Sequence, residues 1–278
     1  MRALIAAALG LAVSALAARG DSVTWLPDAD GLWMIPANWS GNALPGPMDK
    51  VTISVAGDRL ITLSNSSQLI RSLVSDERLT ISNATLSLMA GAQINNVLTL
   101  ADGGTVAGGA ITLGNGGRIV AENGRIANTT ISGDIDIAAG GLTFDSLTLN
   151  GAALLSGSGG WLNASSSQTL SGNANLVFQG GGVGVSAGQT LTLPPTVTAR
   201  PGGAGVSGTF GGAGTLINQG LISADAAGSS LTVNTAVFAN QGIAQARNGG
   251  TLTLLNNWTN AGTLIVDGDG STLNLGGK

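Results

Sequence analysis

The sequence predicts an all-β fold: a parallel β-helix, or β-solenoid, of about 21-residue coils, with an N-terminal Trp/Pro cap. Three observations predict it. Short apolar–polar–apolar triplets recur along most of the chain, glycine- or asparagine-rich breaks separate them, and two sequence markers near the C-terminus repeat at one interval.

The triplets include Leu79-Thr80-Ile81, Leu98-Thr99-Leu100, Ile135-Asp136-Ile137, Leu191-Thr192-Leu193 and Leu231-Thr232-Val233. Alternation with period two sends both apolar side chains to one face of a strand and the small polar one to the other. Breaks such as "ADGG" from Ala101 and "AAGG" from Ala138 supply residues that accept positive φ and so end each strand. Beyond the first residues no ten-residue run keeps a helical apolar spacing, so helix should be nearly absent.

The repeat is clearest near the C-terminus. Leu231, Leu252 and Leu273 follow one another at a constant interval (252 − 231 = 21 and 273 − 252 = 21). The corner triplets starting at Asn218, Asn240 and Asn260 step by 22 and 20. A unit this short cannot bury its own apolar face and must stack on its neighbours. Corner asparagines can then share hydrogen bonds from coil to coil. From residue 50 onward this gives about eleven coils and a rod of roughly 50 Å at the ~4.8 Å strand spacing. A β-sandwich of short strands is the competing architecture, but it would not require the constant offset.

At the N-terminus, Met1-Arg2 followed by the uncharged run "ALIAAALGLAVSALA" and the small residues Ala15 and Ala17 read as a secretory signal peptide over residues 1–17. A membrane anchor is the rival reading, but the run is shorter than the ~20 residues a span needs and Arg19 follows it. No later stretch reads as a membrane span. Residues 18–53 form the cap segment, and residues 54–278 the repeat domain. The cap assignment follows from "GLWMIPANWSGNALPGPMDKVTI". A β-helix end exposes unpaired N–H and C=O groups; Trp25, Trp33 and Trp39 can bury large apolar area over them, and Pro45 cannot donate to a ladder. No matching cap or anchor is read after "LNLGGK", so the repeat domain is expected to lack one.

Composition narrows the function. The 278 residues contain no Cys, His or Tyr, which excludes disulfides, thiolate metal sites, cysteine nucleophiles and histidine-based triads. Only 9% are charged, with 11 Lys+Arg against 15 Asp+Glu, so nucleic acid is not an expected partner. No metal or cofactor is expected.

The pattern in Trp25, Gly31, Trp33, Asn38-Trp39, Pro45, Asp49 and Val51-Thr52-Ile53, with "GTLINQGLISA", "FANQGIAQARNGGTLTL" and "WTNAGTLIVDGDGSTLNLGG" downstream, resembles bacterial exported β-helical surface proteins. These are the autotransporter-passenger-like and filamentous-haemagglutinin-like repeat proteins. The resemblance implies export to the medium or the outer surface of a Gram-negative-type cell and a structural or adhesive role. The chain departs from that family in having no C-terminal translocator barrel.

Candidate chemistry is sparse. Asp134 and Asp136 share strand parity and, with Asp145, are the acids a carbohydrate-active β-helix enzyme would use, at carboxylate separations of about 5 to 10 Å. No basic residue sits near them in sequence, and a solvated strand face is the simpler reading. "VDGDGS", with Asp267 and Asp269, lacks the further ligands of a calcium loop and reads as a turn. "GAGVSG" has the GxGxxG spacing without a following helix, so it has no phosphate-binding mechanism. Trp161 and Trp258 interrupt the repeat and are candidate glycan contacts. The expected function is extended contact by Thr, Ser and Asn faces with glycans or host or cell surfaces, with self-association through the solenoid ends. A polysaccharide lyase or glycosidase on the same fold is the alternative. Ice binding would need one regular Thr array, against which the drift of the outward residue among Thr, Ser, Asp and Asn argues.

Overall fold

A computed structural model describes residues 20–277. The segment read as a signal peptide lies outside these described residues. The chain winds as a β-solenoid of about eleven turns, with every strand–strand ladder parallel. Each coil contributes strand segments to three faces in turn. One coil runs from Lys50–Ile53 on the first face, through Leu60–Ser64 on the second, to Ser67–Ile70 on the third; the chain then returns to the first face at Ser72–Ser75. Among the described residues helix is confined to two 3-10 turns, Pro36–Asn38 and Ser40–Asn42.

Period-two alternation does what the sequence predicts. On the second face Ile61, Leu79, Leu98, Ile119, Ile135, Ala153 and Leu176 stack in register, all buried, while Thr62, Thr80, Thr99, Val120 and Asp136 alternate outward. A core made of such columns gains roughly 1.5–3 kcal/mol for each fully buried Val, Leu, Ile or Phe. The columns continue because each strand's inward residues meet those of the coils on either side.

The coil length is not constant. The step of 21 holds on the third face at Val233↔Leu254↔Leu275, but Ile119↔Ile135 spans 16 (135 − 119) and Val183↔Phe210 spans 27 (210 − 183). Corners absorb the difference, since register within the strands is all that burial requires. At the corner between second and third faces, Asn65 and Asn83 adopt φ of 52° and 47°, and Asn83 Nδ2 donates to Asn65 Oδ1 at 2.8 Å. Asparagine tolerates this left-handed backbone and turns its amide into a rung between coils.

A second asparagine ladder runs inside the solenoid at the corner between first and second faces. Asn218 Nδ2 donates to Asn240 Oδ1 (2.8 Å), and Asn240 Nδ2 donates to Asn260 Oδ1 (2.7 Å) and to the Thr263 carbonyl (3.1 Å). These are the Asn-x-Gly corners of the sequence repeat, and Asn218 and Asn240 are buried.

Residues 20–53 are continuous with the stack. Ser22–Thr24 pairs with Lys50–Thr52, and Gly31–Leu32 with Ile61–Thr62, so the first coil is longer than any that follows (51 − 23 = 28 and 61 − 31 = 30). Its interior is filled by Trp25, Trp33 and Trp39, which are 3%, 0% and 0% exposed. The rings meet edge-on, Trp25 to Trp39 at 5.1 Å and Trp33 to Trp39 at 4.7 Å between centroids. Pro45 is buried beside them in the chain, whereas Pro36 and Pro47 are exposed. Among the described residues the last coil differs. Its strands Asn257–Asn260, Thr263–Asp267 and Thr272–Leu275 pair on one side, and Val266 and Leu275, in register with buried Ala246 and Leu254, are each 53% exposed.

Candidate functional site

The third face carries the most regular outward surface. Strand pairing aligns Ser207, Ser230, Thr251 and Thr272 in one column and Thr209, Thr232, Thr253 and Asn274 in the next, over four successive coils. Leu231, Val233, Leu252 and Leu254 between them point inward and are fully buried, which fixes the polar residues on the outside. Ser230 Oγ donates to Ser207 Oγ at 2.9 Å, and Asn274 Nδ2 to Thr253 Oγ1 at 3.3 Å. The result is a two-column strip of small uncharged polar groups, mostly hydroxyls, with a rise of about 4.8 Å per coil. Sequence reading missed this strip because the outward residue looks irregular until the coils, of unequal length, are aligned by their buried partners.

The same column leads down to Trp161, paired with Gly182, which pairs in turn with Thr209. Trp161 opens the strand Trp161–Ala164, whose Leu162 and Ala164 are buried, so parity turns the indole outward. Its benzo edge lies over the backbone of the next two coils. A Cβ at Gly182 would come within 2.7 Å of Cζ3 and Cη2, and one at Gly211 within 3.4 Å of the same atoms. Both glycines are buried, and in the next coil Gly182 is aligned with Thr209 and Gly211 with Asn234. The indole N–H donates to the Ser158 carbonyl at 3.0 Å, which fixes the ring's other edge. Beside it lies a recess of about 220 Å³ lined by Trp161, Asn163, Gly184, Val185, Ser186 and the Gly211-Gly212 backbone. Trp161 remains partly exposed there.

The other predicted contact, Trp258, is placed differently. It continues the inward column after Phe238, packs against the core, and donates its indole N–H to the Gly276 carbonyl at 2.8 Å. It is a core residue of the last coil and offers no outward platform. Only the register with Phe238, in the coil before it, reveals this.

The acids do not converge. Asp134 Oδ1 accepts the Ala152 backbone N–H of the next coil at 2.7 Å, and Asp136, half-buried on the second face, accepts weakly from Ser156 Oγ at 3.4 Å. Asp145 sits on the third face, where it accepts from Ser166 Oγ at 2.9 Å. Contrary to the sequence reading, a basic residue is close to one of them: Arg125 Nη2 lies 3.8 Å from Asp145 Oδ2, because strand pairing sets their coils side by side. Both side chains are well exposed (41% and 36%), the usual setting of a weak surface ion pair. Asp267 likewise pairs with Arg247, at 3.0 Å to Nε, and Gly268 and Gly270 form the expected turn with positive φ. "GAGVSG" passes from a bend into the strand Ser207–Asn218.

Two acids outside the candidate set bind the coils together. Buried Glu77 accepts the Val55 and Arg59 N–H groups at 3.1 and 2.8 Å. Asp76 accepts the Asn95 amide at 2.6 Å, and this bond, with a second from Ser54, holds its carboxyl below the usual carboxylate range. Among the described residues no group of three or more Asp, Glu, His or Cys side chains is arranged to hold a metal ion. Nor does any described helix have the length and apolarity to cross a membrane.

Comparison with protein-family models, with curated proteins and with solved structures gives no match to this chain. Of the sequence resemblance to autotransporter-passenger-like and filamentous-haemagglutinin-like proteins, the β-solenoid fold is what the structure supports, and no family or relative shows the identity.

Proposed function

We propose that this protein is an exported structural or adhesive module, shown on or released from the outer surface of a Gram-negative-type cell, that makes extended contacts to glycans or surfaces. The observation that supports it best is the third-face strip, where eight Ser, Thr and Asn side chains stand in two columns over four coils. Each hydroxyl contributes little on its own, since a protein–ligand hydrogen bond replaces one to water. A rigid array presents many of them with their ordering cost met on folding, so weak contacts add along the rod. The low charge suits a neutral polymer better than an ionic one.

The deciding experiment measures binding of the purified rod to immobilised polysaccharides and whole cells, with Thr232→Lys/Thr253→Lys as the comparison. The reading expects binding that this double variant weakens while circular dichroism stays unchanged. Equal binding by both proteins would overturn it. Release of reducing ends or unsaturated products from any polysaccharide would favour the lyase or glycosidase alternative instead.

A further inference from the structure

We infer that the recess beside Trp161 is a binding site for the ring of a neutral pyranose, at the foot of the hydroxyl strip. This rests on the glycan-contact reading above and deepens it. The indole supplies an apolar wall held from two sides, by the Ser158 carbonyl on Nε1 and by the glycine backbone under its benzo edge. A ring held this way loses little freedom when a ligand stacks against it, which is what makes a rigid aromatic an effective contact. Gly184 and Gly211 lack side chains, and the space a Cβ would take at Gly184 is filled by the Asn163 carboxamide, whose Oδ1 would lie 2.3 Å from it and whose Nδ2 donates to the Trp161 carbonyl at 3.4 Å. Asn163 and Ser186 supply an amide and a hydroxyl at the rim.

The lining fixes the ligand class. It holds no Asp, Glu, Lys or Arg. The charged residue below it in the Asn163 column is Arg125, two coils away and facing Asp145. An anionic sugar would meet no cation there, and a cation would meet neither a carboxylate nor a second aromatic wall. A pyranose has the matching chemistry: an apolar ring face for the indole and hydroxyls for Asn163 and Ser186. The volume is below the roughly 300–1,000 Å³ of pockets that enclose a drug-sized ligand, so it takes one ring and leaves the rest of a polymer outside. Thr209 lies two coils, about 10 Å, up the column from Trp161, so such a polymer would continue along the hydroxyl strip.

The test is an NMR titration of the protein with methyl β-glucopyranoside, methyl β-galactopyranoside and N-acetylglucosamine, with glucuronate as the charged control. At least one neutral sugar should give saturable shifts at the Trp161 ring protons and the Asn163 side-chain amide, and glucuronate none. Trp161→Ala should weaken binding at least tenfold, and Asn163→Ala, which leaves the indole in place, about 3- to 10-fold for one lost hydrogen bond. If Trp161→Ala fails to fold, Asn163→Ala alone decides. The site is disproved if no neutral sugar shifts these resonances, if glucuronate binds as well, or if a folded variant binds unchanged. Polymer binding that survives Trp161→Ala would remove this site and leave the strip. Monosaccharide binding without polymer binding would remove the extended-contact reading and leave the site.

Discussion

Trp39 donates its indole N–H to the backbone carbonyl of Trp33 over 2.7 Å, inside a first coil where both rings are fully buried. The indole N–H of Trp33 itself meets no protein acceptor. The two tryptophans thus fill the same space, one with its donor satisfied and one without, and that separates packing from hydrogen bonding. Trp39→Phe keeps most of the ring but leaves a buried carbonyl short of a donor, and should cost about 1–3 kcal/mol. Trp33→Phe removes an unsatisfied donor and should be close to neutral. Trp33→Ala and Trp39→Ala should each cost about 3–5 kcal/mol and promote aggregation by opening the first coil. Urea denaturation measures all four, and equal losses for the two Phe variants would show that the Trp39–Trp33 bond is not a net contributor.

Asn240 is the middle rung of the internal ladder, accepting from Asn218 and donating to Asn260 and to Thr263. Asn240→Ala should lower stability by about 1–3 kcal/mol, since it strands polar atoms where water cannot replace the lost partner. Asn240→Asp should be worse at neutral pH, because the buried carboxylate can donate to neither Asn260 nor Thr263, and should recover below about pH 4, where the acid is protonated. A denaturation series for Asn240→Asp at pH 7 and pH 3.5 would settle it; no recovery in acid would argue against a donor role at this position.

Asp76 gives the wild-type protein an acid-sensitive joint. Its folded pKa lies below the ordinary 3.8, chiefly through the Asn95 amide and then Ser54. A depressed carboxylate contributes stability that is fully present above the unfolded value and is lost as pH falls through the folded one. The loss should therefore appear below about pH 4, and be small because the group is largely exposed. Asp76→Asn should flatten that part of the melting-temperature profile between pH 5 and pH 2.5, and an unchanged slope would exclude the contribution.

Asp134 is placed to hold two coils together by accepting the Ala152 N–H. Asp134→Ala should therefore lower stability by about 1 kcal/mol, in line with a lost side-chain acceptor for a backbone donor. Asp134→Asn retains an acceptor oxygen and should lose less. Loss of a polysaccharide-cleaving activity in a fully stable Asp134→Asn variant would reassign this residue to chemistry.

Much of the fold is legible in particular residues. Leu231, Leu252 and Leu273 announce a stacked unit because each is inward in its coil and the unit length is locally constant. The Asn-Gln-Gly and Asn-Ala-Gly corners announce the ladder, since a recurring asparagine at a bend needs a partner one coil away. Trp161 and Trp258 both interrupt the repeat, with Asn163 two residues after the first and Asn257 and Thr259 flanking the second. Their roles separate only when Trp161 is paired with Gly182 and Trp258 with Phe238. Arg125 and Asp145 are separated by nearly a whole coil of sequence, and no local pattern joins them, yet they meet across one strand spacing.

By itself, the sequence determined the class of fold, the inward and outward parity of the apolar–polar–apolar triplets, and the absence of histidine and cysteine chemistry. These are local properties: alternation, turn residues and composition act over a few positions and need no neighbour in space. The tertiary structure decided which outward residues share a column, how the carboxylates are spread over different faces, and that Trp161 borders a recess while Trp258 joins the core. Those depend on the number of residues in each coil, which varies from 16 to 27 beyond the first. Coil length is set at the corners, where backbone conformation and packing against the adjacent coil outweigh any repeat in the residues themselves.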